Sequence, residues 1–425
     1  PHFPCCLVKL YDMIRITITL LEEKAMHRFK KWTVILLCVA LVATLVACDK
    51  KPDEPAPTDP PKTEAPGPTD APEPTDAPEP PAGVTLDNIK LGFVHITDPS
   101  DMGYTYNHNL GTEKMAKELG LRDDQIVNKF NTPEDAQCEA ALRELVEQGC
   151  HIIFATSFGF ENYVMEVAGE YPDVEFCHAS GYQAALSDMP NVHNYFGKIY
   201  QARYLSGIAA GLKTENNTLG YVNAYPFAEC IQGFTGFYLG AKSVNPDVKM
   251  FVMNTFSWND PAGEAQAAKA LIDMGCDVLG QHCDSTAPAT AAEAEGVYHV
   301  GYNSDMIDAA PNATLTSAVW DWSRYLVLAV GNYVEGKAIP KDWGEGLAEG
   351  AVDISRLNEA IIAPGTAEAI EEARAKILSG DWDVFTGPLV NSDGEVVVAE
   401  GETYIEPASS PAWDHILEGI TMVNE

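Results

Sequence analysis

The amino-acid sequence predicts an α/β fold made of two similar lobes, each built around a parallel β-sheet. From residue 88 onward, short apolar runs alternate with helical stretches of about 10–15 residues, as in consecutive βαβ units. The alternation restarts near residue 216, which indicates a second lobe. Aromatic, Asp and Asn residues recur directly after the apolar runs, where the carboxyl ends of parallel strands meet and ligands bind.

Local patterns predict the individual elements in chain order. The apolar run Ile-Lys-Leu-Gly-Phe-Val at residues 89–94 is typical of a buried strand. For the first lobe we predict strands at 89–94, 125–130, 151–154, 174–177 and 192–196, and helices at 106–119, 133–148, 161–170 and 201–213. For the second lobe we predict strands at 219–223, 248–254, 277–279 and 297–301, and helices at 229–243, 262–274 and 287–295.

These elements suggest the following division of the globular chain. Residues 88–215 form the first lobe, and part of residues 320–340 returns to it. Residues 216–319 form the second lobe, and residues 341–425 form a segment that completes both lobes.

The N-terminal residues indicate export. Residues 1–25 precede Met26 and are interpreted as an over-extended N-terminus. Residues 26–47 combine a basic start with an apolar stretch at 32–46 that is too short for a comfortable membrane span. This stretch ends in Leu45-Val46-Ala47-Cys48, which resembles the lipobox of bacterial lipoproteins and predicts lipidation of Cys48. An ordinary signal peptide that happens to contain a cysteine is the alternative.

Residues 48–87 comprise Cys48 and a linker rich in Pro, Thr, Asp and Glu, in which residues 69–74 are repeated at 75–80. Apart from Pro, no apolar residue larger than Ala occurs between residues 49 and 82, so we expect this segment to be disordered. Proline stiffens such a segment toward an extended helix of about 3 Å per residue. We therefore expect a protein anchored by lipid to the extracellular face of the cell membrane.

Composition excludes several classes of partner. The chain has 27 Lys and Arg against 62 Asp and Glu, a formal net charge of -35, which argues against nucleic acid as a partner. The ten His are dispersed and the cysteines show no C-x-x-C pair, so we predict neither a metal site nor a cofactor. Whether any of the six globular cysteines form disulfides is left open: Cys138, Cys150, Cys177, Cys230, Cys276 and Cys283.

The loops after the predicted strands supply candidate ligand-binding residues. These loops are residues 95–106, 155–160, 179–182, 224–227, 255–260, 281–284, 302–305 and 320–322. Flat aromatic faces together with a few hydrogen-bonding side chains suit a planar heterocycle with polar edges. The alternative for any single aromatic residue is packing between the lobes. The candidates are Tyr104, Tyr106, Asn107, Phe158, Phe160, Trp258, Asp284, Asn303 and Trp320.

Several motifs resemble those of the basic membrane protein (BMP) family of transporter substrate-binding lipoproteins. They include Asp-Pro-Ser-Asp-Met-Gly-Tyr-Thr-Tyr-Asn at 98–107, the segment at 194–207 and Trp-Asn-Asp-Pro at 258–261. Residues 281–285, 300–306 and 383–388 also match in type and order, so the resemblance covers about residues 89–420. It implies the type I periplasmic-binding fold: two Rossmann-like lobes that are joined by a hinge and close on a ligand.

The same resemblance implies an ABC permease and ATPase as partners, and a purine nucleobase or nucleoside as ligand. Tyr104, Phe158 and Trp258 would stack on the heterocycle, while Asp284 and Asn303 would hydrogen-bond its edge. Nucleoside-binding relatives tend to carry a Lys after the segment that is Leu-Thr-Ser at residues 315–317, whereas this chain has Trp320 nearby. This departure favours a free base over a nucleoside.

The sequence favours a binding protein over an enzyme. His282, Cys283 and Asp284 are adjacent, but consecutive residues at a strand end point alternately and do not converge on one atom. The chain contains no nucleophile elbow, phosphate-binding Gly-Lys loop or zinc-protease helix. The alternatives are a surface sensor of the same fold without a transporter, and a surface enzyme that processes nucleosides.

Overall fold

The computed structural model describes residues 83–407 and 409–424. The predicted N-terminal extension, the signal sequence, Cys48 and residues 48–82 of the linker lie outside the described residues. No helix within the described ranges is both long and apolar enough to cross a membrane.

The described chain alternates strands and helices through most of its length. The strands β1 to β15 are Leu91–Val94, Ile126–Lys129, Ile152–Ala155, Glu175–Ala179, Val192–Tyr195, Thr218–Asn223, Lys249–Asn254, Val278–His282, Tyr298–Asn303, Thr314–Trp320, Asp342–Trp343, Val352–Ile354, Leu389–Val390, Val396–Val398 and Ile420–Met422. The helices α1 to α10 are Tyr104–Leu119, Ala136–Glu147, Glu161–Glu170, Gln183–Leu186, Ile199–Lys213, Ala228–Val244, Pro261–Asp273, Ala287–Glu295, Ser323–Val334 and Thr366–Leu378. Short 3₁₀ turns at Pro99–Asp101, Asp123–Gln125 and Phe158–Phe160 precede α1, β2 and α3.

Two sheets with the same topology form the centres of the two lobes. The first has the order β11-β5-β4-β3-β1-β2, and the second has the order β12-β10-β9-β8-β6-β7-β15. All neighbours are parallel except β12, which pairs antiparallel with β10. In each sheet the strand order reverses at one strand, β1 in the first lobe and β6 in the second, because the following strands are added on both of its sides. Ligands of such sheets bind in the crevice at the carboxyl end of the strand where the order reverses. The predicted α/β fold of two parallel-sheet lobes is confirmed.

Most predicted elements occur within a few residues of their expected bounds. The helices predicted at 161–170 and 287–295 match Glu161–Glu170 and Ala287–Glu295 at both ends. The helix predicted to begin at residue 106 begins instead at Tyr104, because the Asp101 carboxylate accepts hydrogen bonds from the N–H groups of Gly103, Thr105 and Tyr106 at 2.9–3.0 Å. Because this cap satisfies the free N–H groups of the first turn, the helix begins two residues earlier than predicted.

The six cysteines of the described chain are buried free thiols, so none forms a disulfide. They lie within the apolar interior. Cys138 and Cys150, for example, pack with the core around Leu142 in the first lobe. The stability of the lobes therefore rests on apolar burial and hydrogen bonding within the described residues, without a covalent cross-link.

Helix α5 packs closely against α6 of the second lobe, although we expected its residues to belong to the first lobe. It also contacts β10 and β12, so the chain passes between the lobes before α5 begins. A Cβ atom at Gly207 would overlap the carbonyl oxygen of Phe237, and one at Gly240 would overlap that of Tyr204. Glycine at these positions lets the two helix backbones approach closely.

We expect Gly240→Ala to lower the free energy of unfolding by about 1–3 kcal/mol, because the added methyl group forces the two helices apart. Urea denaturation monitored by circular dichroism would measure the loss. Gly331→Ala is the matched control: it also lies within a helix, α9, and a Cβ atom there meets open space. This control should be neutral or slightly stabilising, since alanine favours helices. Equal effects of the two substitutions would contradict the packing role.

Candidate ligand-binding site

A cavity lies where the carboxyl ends of the two sheets face each other. It leaves about 290 Å³ free of protein atoms, including its opening to solvent. Both lobes contribute side chains. The cavity is lined by Tyr104, Ser157, Phe158 and Ser180 from the first lobe and by Glu229, Trp258, His282, Asp284 and Tyr302 from the second.

Four of the candidates from the sequence line this cavity. Phe158 follows β3, Trp258 follows β7 and Asp284 follows β8, each at the carboxyl end of its strand. Tyr104 is the first residue of α1, and its hydroxyl donates to the carbonyl oxygen of Thr156 at 2.7 Å. The structure therefore brings residues that are distant in sequence to one cavity.

Three further candidates form a hydrogen-bonded chain behind Asp284 instead of lining the cavity. The Asn303 side-chain amide donates to Oδ1 of Asp284 at 3.0 Å. Trp320 Nε1 donates to the Asn303 oxygen at 3.1 Å, and Asn107 Nδ2 lies 3.4 Å from the carbonyl oxygen of Trp320. This chain holds Oδ1 of the Asp284 carboxyl, and Asp284 itself lines the cavity.

Two candidates lie away from the cavity. Phe160 is fully buried in the first-lobe core, whereas Phe158, two residues earlier in the same 3₁₀ turn, lines the cavity. Tyr106 is half-buried on α1. Successive residues of a helix are about 100° apart, so Tyr106 points away from the direction taken by Tyr104. A direct contact between the ligand and either residue is not supported by this geometry.

Glu229 was missed because it is not in a loop that follows a strand. It lies in the first turn of α6 and is 8% exposed. Four other lining residues do lie in the loops that the sequence analysis selected, but no motif or expected stacking contact marked them as candidates: Ser157, Ser180, His282 and Tyr302. Glu229 could have been found from the sequence as an acidic residue in the first turn of a helix that follows an aromatic loop.

Aromatic rings form two walls of the cavity. In the second lobe, the ring of Trp258 lies 4.9 Å from that of Tyr225, which stacks on Phe227 at 4.9 Å. Phe227 also approaches Phe158 of the first lobe at 5.4 Å between ring centroids. On the opposite side, Tyr104 packs edge-on against His108 at 4.6 Å. The cavity thus offers flat apolar surfaces from both lobes.

Two buried carboxyl groups face this apolar space. Burial raises the pKa of Asp284 well above its usual value, the charges of Asp101 and Glu264 raise it further, and the Asn303 hydrogen bond offsets part of the rise. Burial also raises the pKa of Glu229 to about 7; the neighbouring Ser180 hydroxyl lowers it in part, and the charge of Glu134 raises it further. Both groups are costly to ionise in the closed cavity, which favours a bound partner that hydrogen-bonds to them.

A buried arginine lies behind the second-lobe wall. Arg203 of α5 donates to the carbonyl oxygen of Gln281 at 2.7 Å and to the Tyr221 hydroxyl. Its guanidinium lies 3.8 Å from the centre of the Tyr302 ring, a cation–π arrangement. It lowers the pKa of Glu229 in opposition to the effect of burial.

The loop before α1 touches the second lobe directly. A Cβ atom at Gly103 would overlap the carbonyl oxygen of Asp284, and the Ser304 hydroxyl donates to the carbonyl oxygen of Met102 at 2.5 Å. The two lobes are therefore in contact beside the cavity.

The arrangement is suited to binding. Among the described residues no group of His, Cys, Asp and Glu could hold a metal ion. His282 and Asp284 line the cavity, while Cys283 between them packs into the apolar core of the second lobe. The three side chains alternate as expected from the sequence. Fold and site together define a two-lobed α/β solute-binding protein.

Comparison with known proteins identifies the family. Residues 89–381 match the model of the Bmp family, described as ABC transporter substrate-binding protein PnrA-like. The match covers most of the chain, and the chain belongs to this family. The resemblance inferred from the sequence motifs is confirmed, and so is the periplasmic-binding fold.

Relatives of this chain are named for different ligands. A purine-binding protein of Brucella abortus (strain 2308) is 36% identical over 318 residues, covering 74% of this chain and 88% of the relative. A putative ABC transporter glucose-binding protein of Haloferax volcanii is 30% identical over 325 residues, covering 75% and 80%. A solved ABC transporter solute-binding protein of Aeropyrum pernix K1 superposes with a TM-score of 0.60 at 20% identity, covering 69% and 92%.

We expect Asn303→Asp to lower the free energy of unfolding by about 1–3 kcal/mol at neutral pH, because a second carboxyl would face Asp284 without the donated hydrogen bond. The loss should diminish as the pH falls, since a proton shared by the two carboxyls restores a hydrogen bond. Denaturation at several pH values would measure this. Asn162→Asp is the control: Asn162 is exposed, and its side-chain oxygen accepts from Gln183. A loss that is the same at all pH values would contradict the explanation.

Proposed function

We propose that this protein captures a purine-type ligand outside the cell, with a nucleobase favoured over a nucleoside, and passes it unchanged to an ABC permease energised by its ATPase. The observation that carries the proposal is a cavity between two lobes in which aromatic faces surround two buried carboxyl groups. Such a cavity suits a flat, uncharged heterocycle with N–H groups at its edge.

Aromatic stacking supports the heterocycle. Trp258 and Phe158 come from different lobes and line the same cavity, so closure can place a planar ligand between them. Stacking in a site without water favours a flat π-system over a saturated ring. The purine-binding relative at 36% identity agrees with this assignment.

The hydrogen-bonded chain behind Asp284 supports an edge contact. One Asp284 oxygen is held by Asn303, and the other is available to accept from a ligand N–H. A ligand without that donor would leave a buried carboxyl group unpaired, which is the basis of strong discrimination in polar sites.

The small volume and Trp320 support a base over a nucleoside. The free space of about 290 Å³ is modest, and Trp320 is buried with its indole N–H bonded to Asn303. A ribose would need additional room and polar partners for its hydroxyl groups. Four aromatic rings, those of Tyr104, Phe158, Trp258 and Tyr302, contribute to the cavity lining and suit a flat base.

Lipidation of Cys48 would anchor the protein to the extracellular face of the cell membrane, with the Pro-rich linker as spacer. Anchoring of this kind keeps a binding protein close to its permease without a membrane-spanning segment. A surface sensor of the same fold would bind the same ligand but would function without a permease. Loss of purine uptake on deletion of the gene would support transport, and unchanged uptake would favour the sensor.

The first test is a thermal-shift screen of the purified protein against adenine, guanine, hypoxanthine, xanthine, their nucleosides, and sugars including glucose. We expect the largest stabilisation from a nucleobase, because a ligand that binds only the folded state raises the melting temperature. Chromatography should recover the compound unchanged. Stabilisation by glucose but by none of the purines would overturn the ligand class. Conversion of a nucleoside to a base would indicate an enzyme.

Asp284→Ala tests whether the ligand occupies this cavity. It should weaken binding of the selected purine by about 1–3 kcal/mol in calorimetry, because alanine removes the hydrogen-bonding group from the cavity lining. Asp247→Ala is the control, since Asp247 is exposed on the turn between α6 and β7. Equal affinities of both variants and the wild type would exclude Asp284 from the site.

Gly103→Ala tests lobe closure. The added methyl group would overlap the carbonyl oxygen of Asp284, so it opposes the closed form and not the open one. We expect ligand affinity to fall by at least about tenfold, since only the closed population binds tightly, with little change in unliganded stability. Gly169→Ala on α3 is the control, because a Cβ atom there would lie 3.8 Å from the Met189 sulfur. Unchanged affinity in Gly103→Ala would show that closure does not require this contact.

A further inference from the structure

Glu229 is a buried acid with an incomplete set of partners. It projects from the first turn of α6 into the cavity, where Ser180 of the first lobe also lies. Oε2 is buried without a hydrogen-bond partner among the described residues. Oε1 lies 3.6 Å from Nε2 of His282, too far for a normal hydrogen bond. A buried polar atom without a partner costs free energy, so a missing partner is expected in the functional state.

Arg203 of α5 lowers the pKa of Glu229, but burial outweighs this effect. Its Nη1 donates to Gln281 and Tyr221 and its guanidinium faces the Tyr302 ring, while its Nε and Nη2 make no hydrogen bond among the described residues. His282 of β8 is uncharged, because burial and the neighbouring Arg203 hold its pKa well below the usual value. Because burial raises the pKa of Glu229 to about 7 in spite of Arg203, a proton can neutralise it near neutral pH.

The other neighbours make ionisation less favourable. Glu134, which precedes α2, adds negative charge from the first lobe. Asp284 shares the cavity, and the charge of Glu229 in turn raises the pKa of Asp284. Tyr104 of α1 and Cys230, the next residue of α6, keep their protons because burial raises the pKa of each well above its usual value. Tyr302 of β9 likewise keeps its proton.

We propose that Glu229 contacts the ligand directly and carries a proton in the complex, donating a hydrogen bond with one oxygen and accepting one with the other. This inference rests on the proposed capture of a purine-type ligand. A neutral carboxyl group presents a donor and an acceptor side by side. It therefore matches a heterocycle edge that has an N–H group next to a ring nitrogen or a carbonyl oxygen, as in aminopurines and oxopurines.

Asp284 has a different role because its environment is different. Its Oδ1 accepts from the Asn303 amide, so only one oxygen of Asp284 is left for the ligand. Glu229 has no such protein donor on Oε2. Glu229 therefore has more of its hydrogen-bonding capacity left for a ligand than Asp284 has.

A pH dependence follows, with a definite sign. Burial raises the pKa of Glu229 to about 7, so the unliganded protein is largely protonated there below this pH and largely ionised above it. The ionised form cannot donate a hydrogen bond, and binding must then take up a proton from solvent. Affinity should be constant below pH 7 and fall by up to about tenfold per pH unit above it, in proportion to the fraction of protein that is protonated at Glu229.

The experiment is calorimetric titration of the full protein with adenine and with hypoxanthine, at pH values about one unit below and one unit above 7. Two buffers with different heats of ionisation at the higher pH report the number of protons taken up. Wild type should take up close to one proton and lose about tenfold in affinity. Glu229→Gln, which is permanently neutral and keeps both a donor and an acceptor, should bind with an affinity that does not depend on pH.

Glu147→Gln is the matched control. Glu147 is exposed at the end of α2, so this variant should keep the pH dependence of the wild type. Binding by wild type without proton uptake and with equal affinities at both pH values would overturn the role of Glu229 while leaving purine capture intact. If the pH dependence were retained in Glu229→Gln but lost in Asp284→Asn, the group that takes up the proton would be Asp284. That result would also overturn the role of Glu229. Failure of both bases to bind, with binding of glucose, would refute the proposed function and this inference with it.

Discussion

The central constraint on this structure is the placement of an ionisable group, Asp284, at the contact between two lobes. Its backbone lies against Gly103 of the first lobe, and its side chain is held by Asn303 from the neighbouring strand. Burial at that contact makes the charge unfavourable, so the carboxyl group requires hydrogen-bonding partners. Trp320 fixes Asn303 in turn through its indole N–H.

Closure and recognition are therefore linked through the same atoms. The first-lobe loop that contacts the second lobe also begins α1, because Asp101 binds the N–H groups of Gly103, Thr105 and Tyr106. This places Tyr104 at the start of the helix and in the wall of the cavity. A ligand that satisfies the buried carboxyl groups stabilises the closed arrangement, and a ligand that does not satisfy them leaves closure unfavourable.

The second lobe supplies most of the polar groups and is built for rigidity. Helices α5 and α6 touch through glycine, and Arg203 on α5 holds the wall formed by Tyr302 and the end of β8. Because Glu229 is on the first turn of α6, the same helix pair fixes its position. The acid therefore faces the cavity from a rigid element, which lets a fixed geometry discriminate among ligands.

The sequence alone determined the fold and part of the site because those features depend on local pattern. Alternating apolar runs and helical periodicity define βαβ units, and the motifs identified the family. The rule that ligands bind after parallel strands found Phe158, Trp258 and Asp284. The residues of the hydrogen-bonded chain through Asn303 were among the candidates from the sequence, but their position behind Asp284 was not predicted.

Tertiary structure alone decided which side chains share the cavity. Phe160 turns into the first-lobe core although it is two residues from Phe158, and α5 joins the second lobe although it follows the first in sequence. Glu229 reaches the cavity from a helix, so the rule based on strand ends could not find it. The physical reason is that side-chain direction and the approach of the lobes depend on packing between distant segments, which local periodicity does not encode.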